Sequence, residues 1–162
     1  MPRRWLAIAA SVLVAAVVAG SLWLAVPGSS LAADVVSHVA KEPQAWAHAD
    51  IAVPELKLNQ VLGEHMRLKA NAGRVSYANS CLFRGYVVPH LVVQTEAGPV
   101  TVMVLTHQSV MSSEQFNEQG YRGVIVPVQG HGSLAVLERG PSTDIKAIEA
   151  VAARVLGAID WT

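Results

Sequence analysis

The chain has 162 residues, twelve Lys and Arg against twelve Asp and Glu, and a single cysteine, Cys81. From Asp34 onward ten basic residues stand against twelve acidic ones, a net of minus two with no basic run, so the electrostatic footprint of a nucleic-acid binder is missing. One cysteine excludes an intrachain disulfide and any zinc site assembled from several thiolates.

Residues 1–5 form a short stub carrying Arg3 and Arg4, and are followed by Leu6 to Val26, an apolar run interrupted only by Ser11, Gly20 and Ser21. At helical rise such a run spans roughly 30 Å, the thickness of the hydrocarbon core, so it predicts a transmembrane anchor. Lys and Arg stay on the cytoplasmic side, which places the N-terminus inside and the rest of the chain in the periplasm, at the inner membrane. A cleaved signal peptide is the alternative, with Ser30-Leu31-Ala32 as a small-x-small site. Residues 27–33, with Pro27-Gly28-Ser29-Ser30, read as a linker. Residues 34–162 have the length of one ordinary domain.

Within that domain, Asp34 opens a short helical stretch, DVVSHVAKE, with Val35, Val36 and Val39 on its apolar side and Pro43 as the stop. His38 and Glu42 lie four apart, a spacing at which they can face each other; the expected setting is a solvated surface pair, against the alternative of half a metal site. Trp46 to Asp50 reads as a loop. A second short helix follows Pro54 through ELKLNQVLGEHM, with Leu56, Val61 and Leu62 buried.

From Arg74 the period changes. RVSYANSCLF alternates, with Val75, Tyr77, Asn79, Cys81 and Phe83 on one face. Arg84-Gly85 reads as a tight turn. YVVPHLVVQT and VTVMVLTH, joined by Glu96-Ala97-Gly98-Pro99, are apolar on both sides, as in central strands covered on both faces. Pro89 predicts a bulge or an unpaired position. Ser112 to Phe116 reads as one helical turn. GVIVPVQ and SLAVLER form a second hairpin across Gly130-His131-Gly132. The last element is a helix capped near Ser142 or Thr143, with Ile145, Ile148, Ala152, Val155, Leu156 and Ile159 along one face. The fold class is α+β: a meander sheet of four to five antiparallel strands packed by two short helices and a C-terminal helix.

If Arg84-Gly85 is a two-residue turn, Phe83 pairs with Tyr86, Cys81 with Val88 and Asn79 with His90, which sets Asn79, Cys81 and His90 on one face. A thiol beside an imidazole is the minimum for a nucleophile or a soft-metal site, with Asn79 as orienting group. His107 joins only in one register of the next hairpin. Cys81, His90 and His107 are therefore the candidates for a metal, against the commoner roles of a strand cysteine as a small buried hydrophobe and a strand histidine as a hydrogen-bonded structural residue. No nucleophile elbow, phosphate loop, dinucleotide fingerprint or His-Glu-x-x-His motif occurs, so no catalytic residue, cofactor or enzymatic activity is expected.

The Arg-flanked apolar segment, DVVSHVAKEP, RVSYANSCLFRGYVVPHLVVQTEAGPVTVMVLTH and GYRGVIVPVQGHGSLAVLER together resemble an uncharacterised gammaproteobacterial family, a domain of unknown function. The resemblance covers most of the chain from about Arg3. It implies a layout like that of membrane-bound anti-sigma factors, in which a cytoplasmic segment precedes the membrane helix. Five residues precede it here, which implies a start lacking that segment. The expected role is a membrane-anchored regulatory or binding module with a protein partner. The alternatives are a thiol and imidazole redox or metal-responsive site at Cys81 and His90, and a self-associating envelope protein.

Overall fold

The computed structural model describes residues 29–140 and 144–162. The chain divides into two units, Met1–Leu31 and Ala32–Thr162. The expected anchor, Leu6 to Val26, lies outside the described residues, as do Ser142 and Thr143. Among the described residues no helix is long and apolar enough to cross a membrane.

The second unit is α+β. Helix α1 (Leu31–Val39) leads through a 3-10 turn (Pro43–Trp46) to α2 (Glu55–Leu62) and the short strand β1 (Met66–Leu68). Six strands follow: β2 (Arg74–Phe83), β3 (Tyr86–Thr95), β4 (Gly98–Leu105), β5 (Glu114–Glu118), β6 (Tyr121–Val128) and β7 (Gly132–Arg139). Helix α3 (Ile145–Ala158) and β8 (Ile159–Trp161) end the chain. The six strands are all antiparallel, in the order β2-β3-β4-β7-β6-β5, and β1 pairs with β8 in a separate ribbon.

The expected single meander of four or five strands is thus two three-stranded meanders joined at β4–β7. Ser112 to Phe116 is not a helical turn; β5 starts at Glu114 and returns through Gln119-Gly120, both at positive φ as a two-residue hairpin turn requires. Only Phe116 of β5 is buried, so no apolar alternation marks it as a strand. Its ring crosses Gly123, where an added Cβ would stand 2.4 Å from Phe116 Cζ.

One face of the sheet carries the main apolar core. Leu91, Val93, Val102, Val104, Val124 and Val136 meet Val61 and Leu62 of α2 and Ile148, Val151, Ala152 and Val155 of α3. Leu56, expected to be buried, is exposed on the far side of α2. Asp144 caps α3 directly, its carboxylate accepting from Lys146 N at 3.0 Å. Ile159 is buried, but in β8 rather than on the helix, whose last carbonyls give way to pairing with β1.

The opposite face is covered by α1 and the 3-10 turn. Val35, Val36 and Val39 are fully buried, Trp46 leans on Tyr121 with ring centroids 5.2 Å apart, and Trp46 Nε1 donates to Val39 O. A bulge decides which residues of β2 reach this face. Val75 pairs with Val93 and Tyr77 with Val92, so Ser76 is the extra residue. Val75 and Ala78 therefore both enter the main core, while Tyr77, Asn79, Cys81 and Phe83 turn toward α1. The expectation that Val75 shares a face with Tyr77 fails for this reason. The irregularity expected at Pro89 is not a bulge there; Pro89 lies opposite Ser80, just beyond the ladder to β4, which begins at His90 and Met103.

Candidate metal centre

The site is built where α1 crosses the β2–β3 hairpin. Arg84 and Gly85 both take positive φ, 47° and 85°, so the hairpin closes on a two-residue turn. Arg84 is held there by Asp34 of α1, whose Oδ2 accepts from Arg84 Nε at 2.6 Å. That turn fixes the register: Phe83 with Tyr86, Cys81 with Val88, Asn79 with His90. Cys81 and His90 consequently stand on one face, Sγ 3.7 Å from Nδ1.

The helix supplies the rest. His38 lies three residues after Val35, and Glu42 three after Val39 and four after His38, so the valines that dock α1 carry His38 and Glu42 onto the same face. The two are not a solvated pair: their side chains are 19% and 21% exposed, with His38 Nε2 3.2 Å from Glu42 Oε1. Glu42 is the hub. Its Oε2 accepts from Tyr77 OH at 3.1 Å and lies 2.9 Å from His90 Nδ1, and its Oε1 accepts from Cys81 Sγ at 3.3 Å. Asn79 Nδ2 approaches Cys81 Sγ at 3.9 Å. The His38 ring packs edge-on against Phe83. One donor atom from each of His38, Glu42, Cys81 and His90 lies within 4.8 Å of the others.

The electrostatics follow from burial around one carboxylate. Burial works to raise the Glu42 carboxyl, but the Cys81 hydrogen bond, His90, Tyr77 and His38 outweigh it and hold it below the ordinary value. Burial pushes the Cys81 thiol up to about 12, with Glu42 adding to the rise. Burial, then Glu42, raises Tyr77 to about 12 as well, so its hydroxyl stays a donor. Burial also depresses His90, outweighing the carboxylate beside it. At neutral pH the His90–Glu42 contact is therefore a hydrogen bond from a neutral imidazole. The Nε2 atoms of His38 and His90 are buried without a hydrogen-bond partner.

His107 is not brought to this cluster. It stacks on Tyr86 beside the Arg84-Gly85 turn, ring centroids 4.0 Å apart. His131 of the Gly130-His131-Gly132 loop stacks on Trp161, and His48 pairs with Asp50 at 3.6 Å in an exposed loop. His38 and Glu42 are the site residues that strand reasoning does not reach, and Tyr77, which it places on the right face, is given no role by it. The spacing of His38 and Glu42 on the valine stripe is the signal that points to two of them.

A family model described as "Protein of unknown function (DUF3379)" matches residues 1–155. The chain belongs to this family. No curated protein and no solved structure matches it. The family description is silent on chemistry, so the arrangement itself sets what the site can do. A cysteine nucleophile needs a depressed thiol pKa beside a cation. Cys81 has the reverse, a carboxylate neighbour and a thiol near 12. Four converging donors, from α1, the turn just past it, β2 and β3, suit the binding of a cation.

Proposed function

We propose that this protein is a binding module displayed on the periplasmic face of the inner membrane, held by Leu6 to Val26 and acting by ligand capture rather than by catalysis. The observation that carries the reading is the His38, Glu42, Cys81 and His90 cluster: four donors converge beneath α1, and the chain's single thiol is kept protonated. The location rests on the apolar run behind Arg3 and Arg4 and the absence of further Lys or Arg before Lys41. A membrane-tethered module of this kind suits a regulatory role like that of anti-sigma factors, in which the outer domain reports a ligand to a protein partner.

Protease treatment of spheroplasts, combined with alkaline carbonate extraction, tests the location. The expected result is a domain digested from outside while an N-terminal fragment stays in the membrane pellet. Full protection until the inner membrane is lysed sinks the periplasmic assignment. Release of the intact domain by osmotic shock replaces the anchor with a cleaved leader.

A further inference from the structure

We infer that His38, Glu42, Cys81 and His90 together bind one divalent ion of the zinc class, in a tetrahedral site that clasps α1 to the sheet. The inference rests on the binding-module reading and supplies its ligand. The first argument is spacing. Donors about 2.0–2.3 Å from a tetrahedral zinc stand about 3.3–3.7 Å from one another. His38 Nε2 to Glu42 Oε1 is 3.2 Å, Cys81 Sγ to Glu42 Oε1 is 3.3 Å, and Cys81 Sγ to His90 Nδ1 is 3.7 Å. Three of the six edges of the cluster are thus close to those of a coordination tetrahedron, and all four donors lie within 4.8 Å of one another, so side-chain adjustments draw them onto one ion.

The second argument is the state of His38. Its Nε2 is buried and lies 3.2 Å from a carboxylate oxygen, yet makes no hydrogen bond. A buried polar atom without a partner costs about 1–3 kcal/mol. Proximity without hydrogen-bond alignment is the expected arrangement when both groups are turned toward a common third atom.

The donor chemistry names the ion. One thiolate, two imidazoles and one carboxylate favour a borderline-soft ion over magnesium or calcium, which take oxygen ligands. A thiolate and a carboxylate carry two negative charges, so a divalent ion leaves a neutral centre, which a partly buried position tolerates. Four protein donors close the coordination sphere, as in structural zinc sites. Outer groups are in place as well: Tyr77 OH holds Glu42 Oε2, and Asn79 Nδ2 reaches Cys81 Sγ. Binding exchanges the Cys81 thiol proton for the ion, that proton leaving to solvent, and His90 stays neutral by carrying its proton on Nε2 instead of Nδ1, which frees Nδ1 to coordinate. His38 and Glu42 lie on and just past α1, while Cys81 and His90 lie on β2 and β3, so the ion cross-links the first helix to the hairpin.

Cobalt(II) titration of the full chain, purified with chelator and then freed of it, tests this. The expected result is one equivalent bound, with a thiolate-to-cobalt charge-transfer band that zinc abolishes. C81S removes the band, H38A weakens zinc binding by about 100-fold or more, and H107A leaves both unchanged. Circular dichroism of metal-free C81S and H38A confirms that each is folded. Binding that C81S and H38A leave unaltered, or no binding by the folded wild-type chain, overturns the inference. An intense visible band with copper(II) together with negligible zinc affinity assigns the site to copper and also overturns it. The location experiment is independent: a chain that binds zinc but faces the cytoplasm loses its proposed place and keeps its ion.

Discussion

Glu42 Oε2 lies 2.9 Å from His90 Nδ1, and the same carboxylate receives Tyr77 and Cys81, so one side chain from beyond α1 satisfies three groups of the sheet. In the metal-free protein, E42A strips away the carboxylate and leaves the buried His90 and Cys81 with only each other and the long contact from Asn79. A loss of about 1–3 kcal/mol is expected. E42Q keeps the shape and part of the hydrogen bonding and costs less. Urea denaturation compares the two, and equal stabilities would show that the hub is not holding the helix.

Burial first, and then the same carboxylate, raises the thiol. With its pKa near 12, Cys81 of the metal-free chain is expected to alkylate slowly at neutral pH, the rate rising only in strongly alkaline solution. In E42Q, where the hydrogen bond to the carboxylate and its charge are gone, the profile moves toward lower pH. Rapid iodoacetamide labelling of folded wild-type protein at pH 7 contradicts this picture.

Glu138 makes a separate pH dependence. Burial raises its carboxyl, against the pull of Arg122 opposite it on β6, and its Oε1 has no hydrogen-bond partner. Below the ordinary value of 4.5 both folded and unfolded chains hold the proton. As pH rises past it, the unfolded chain ionises first, so stability falls until the raised folded value is reached and is flat above it. E138Q removes this loss: its melting temperature exceeds that of wild type at pH 7 and matches it near pH 4. A wild-type protein that gains stability over the same range through this residue would reverse the sign.

Gly123 has room for nothing else. A Cβ there meets Phe116 Cζ at 2.4 Å, Val136 O at 2.6 Å and Leu137 Cβ at 2.7 Å. G123A is expected to cost about 1–3 kcal/mol. Removing the ring in G123A/F116A does not restore stability, because the Val136 carbonyl remains in the way and the ring's own packing is lost. Full rescue by F116A would place the whole conflict in the ring.

What the sequence disclosed was what a single local rule could carry. A two-residue Arg84-Gly85 turn leaves one register, and with it the meeting of Cys81 with His90. The valines of α1 and the apolar runs of β3 and β4 likewise show in their periodicity. What stayed hidden depends on contacts between distant segments. The Ser76 bulge reverses the facing of Val75 without changing the alternation as written. The β1–β8 ribbon joins Met66–Leu68 to the chain's last strand, Ile159–Trp161, far away in sequence, and neither strand is longer than three residues. His38 and Glu42 were visible as a pair, but their burial depends on which face of α1 meets the sheet.

The order β2-β3-β4-β7-β6-β5 also has a kinetic side. Each meander closes through short turns and can form early, whereas the β4–β7 seam must wait for the intervening chain to be drawn in, with its loop-closure entropy. Joining Val104 to Leu134 across that seam is therefore the step expected to limit the folding rate. Truncations at those two positions should slow refolding, and so should substitutions that weaken the Arg84-Gly85 or Gln119-Gly120 tips, because those turns are already closed when the seam forms.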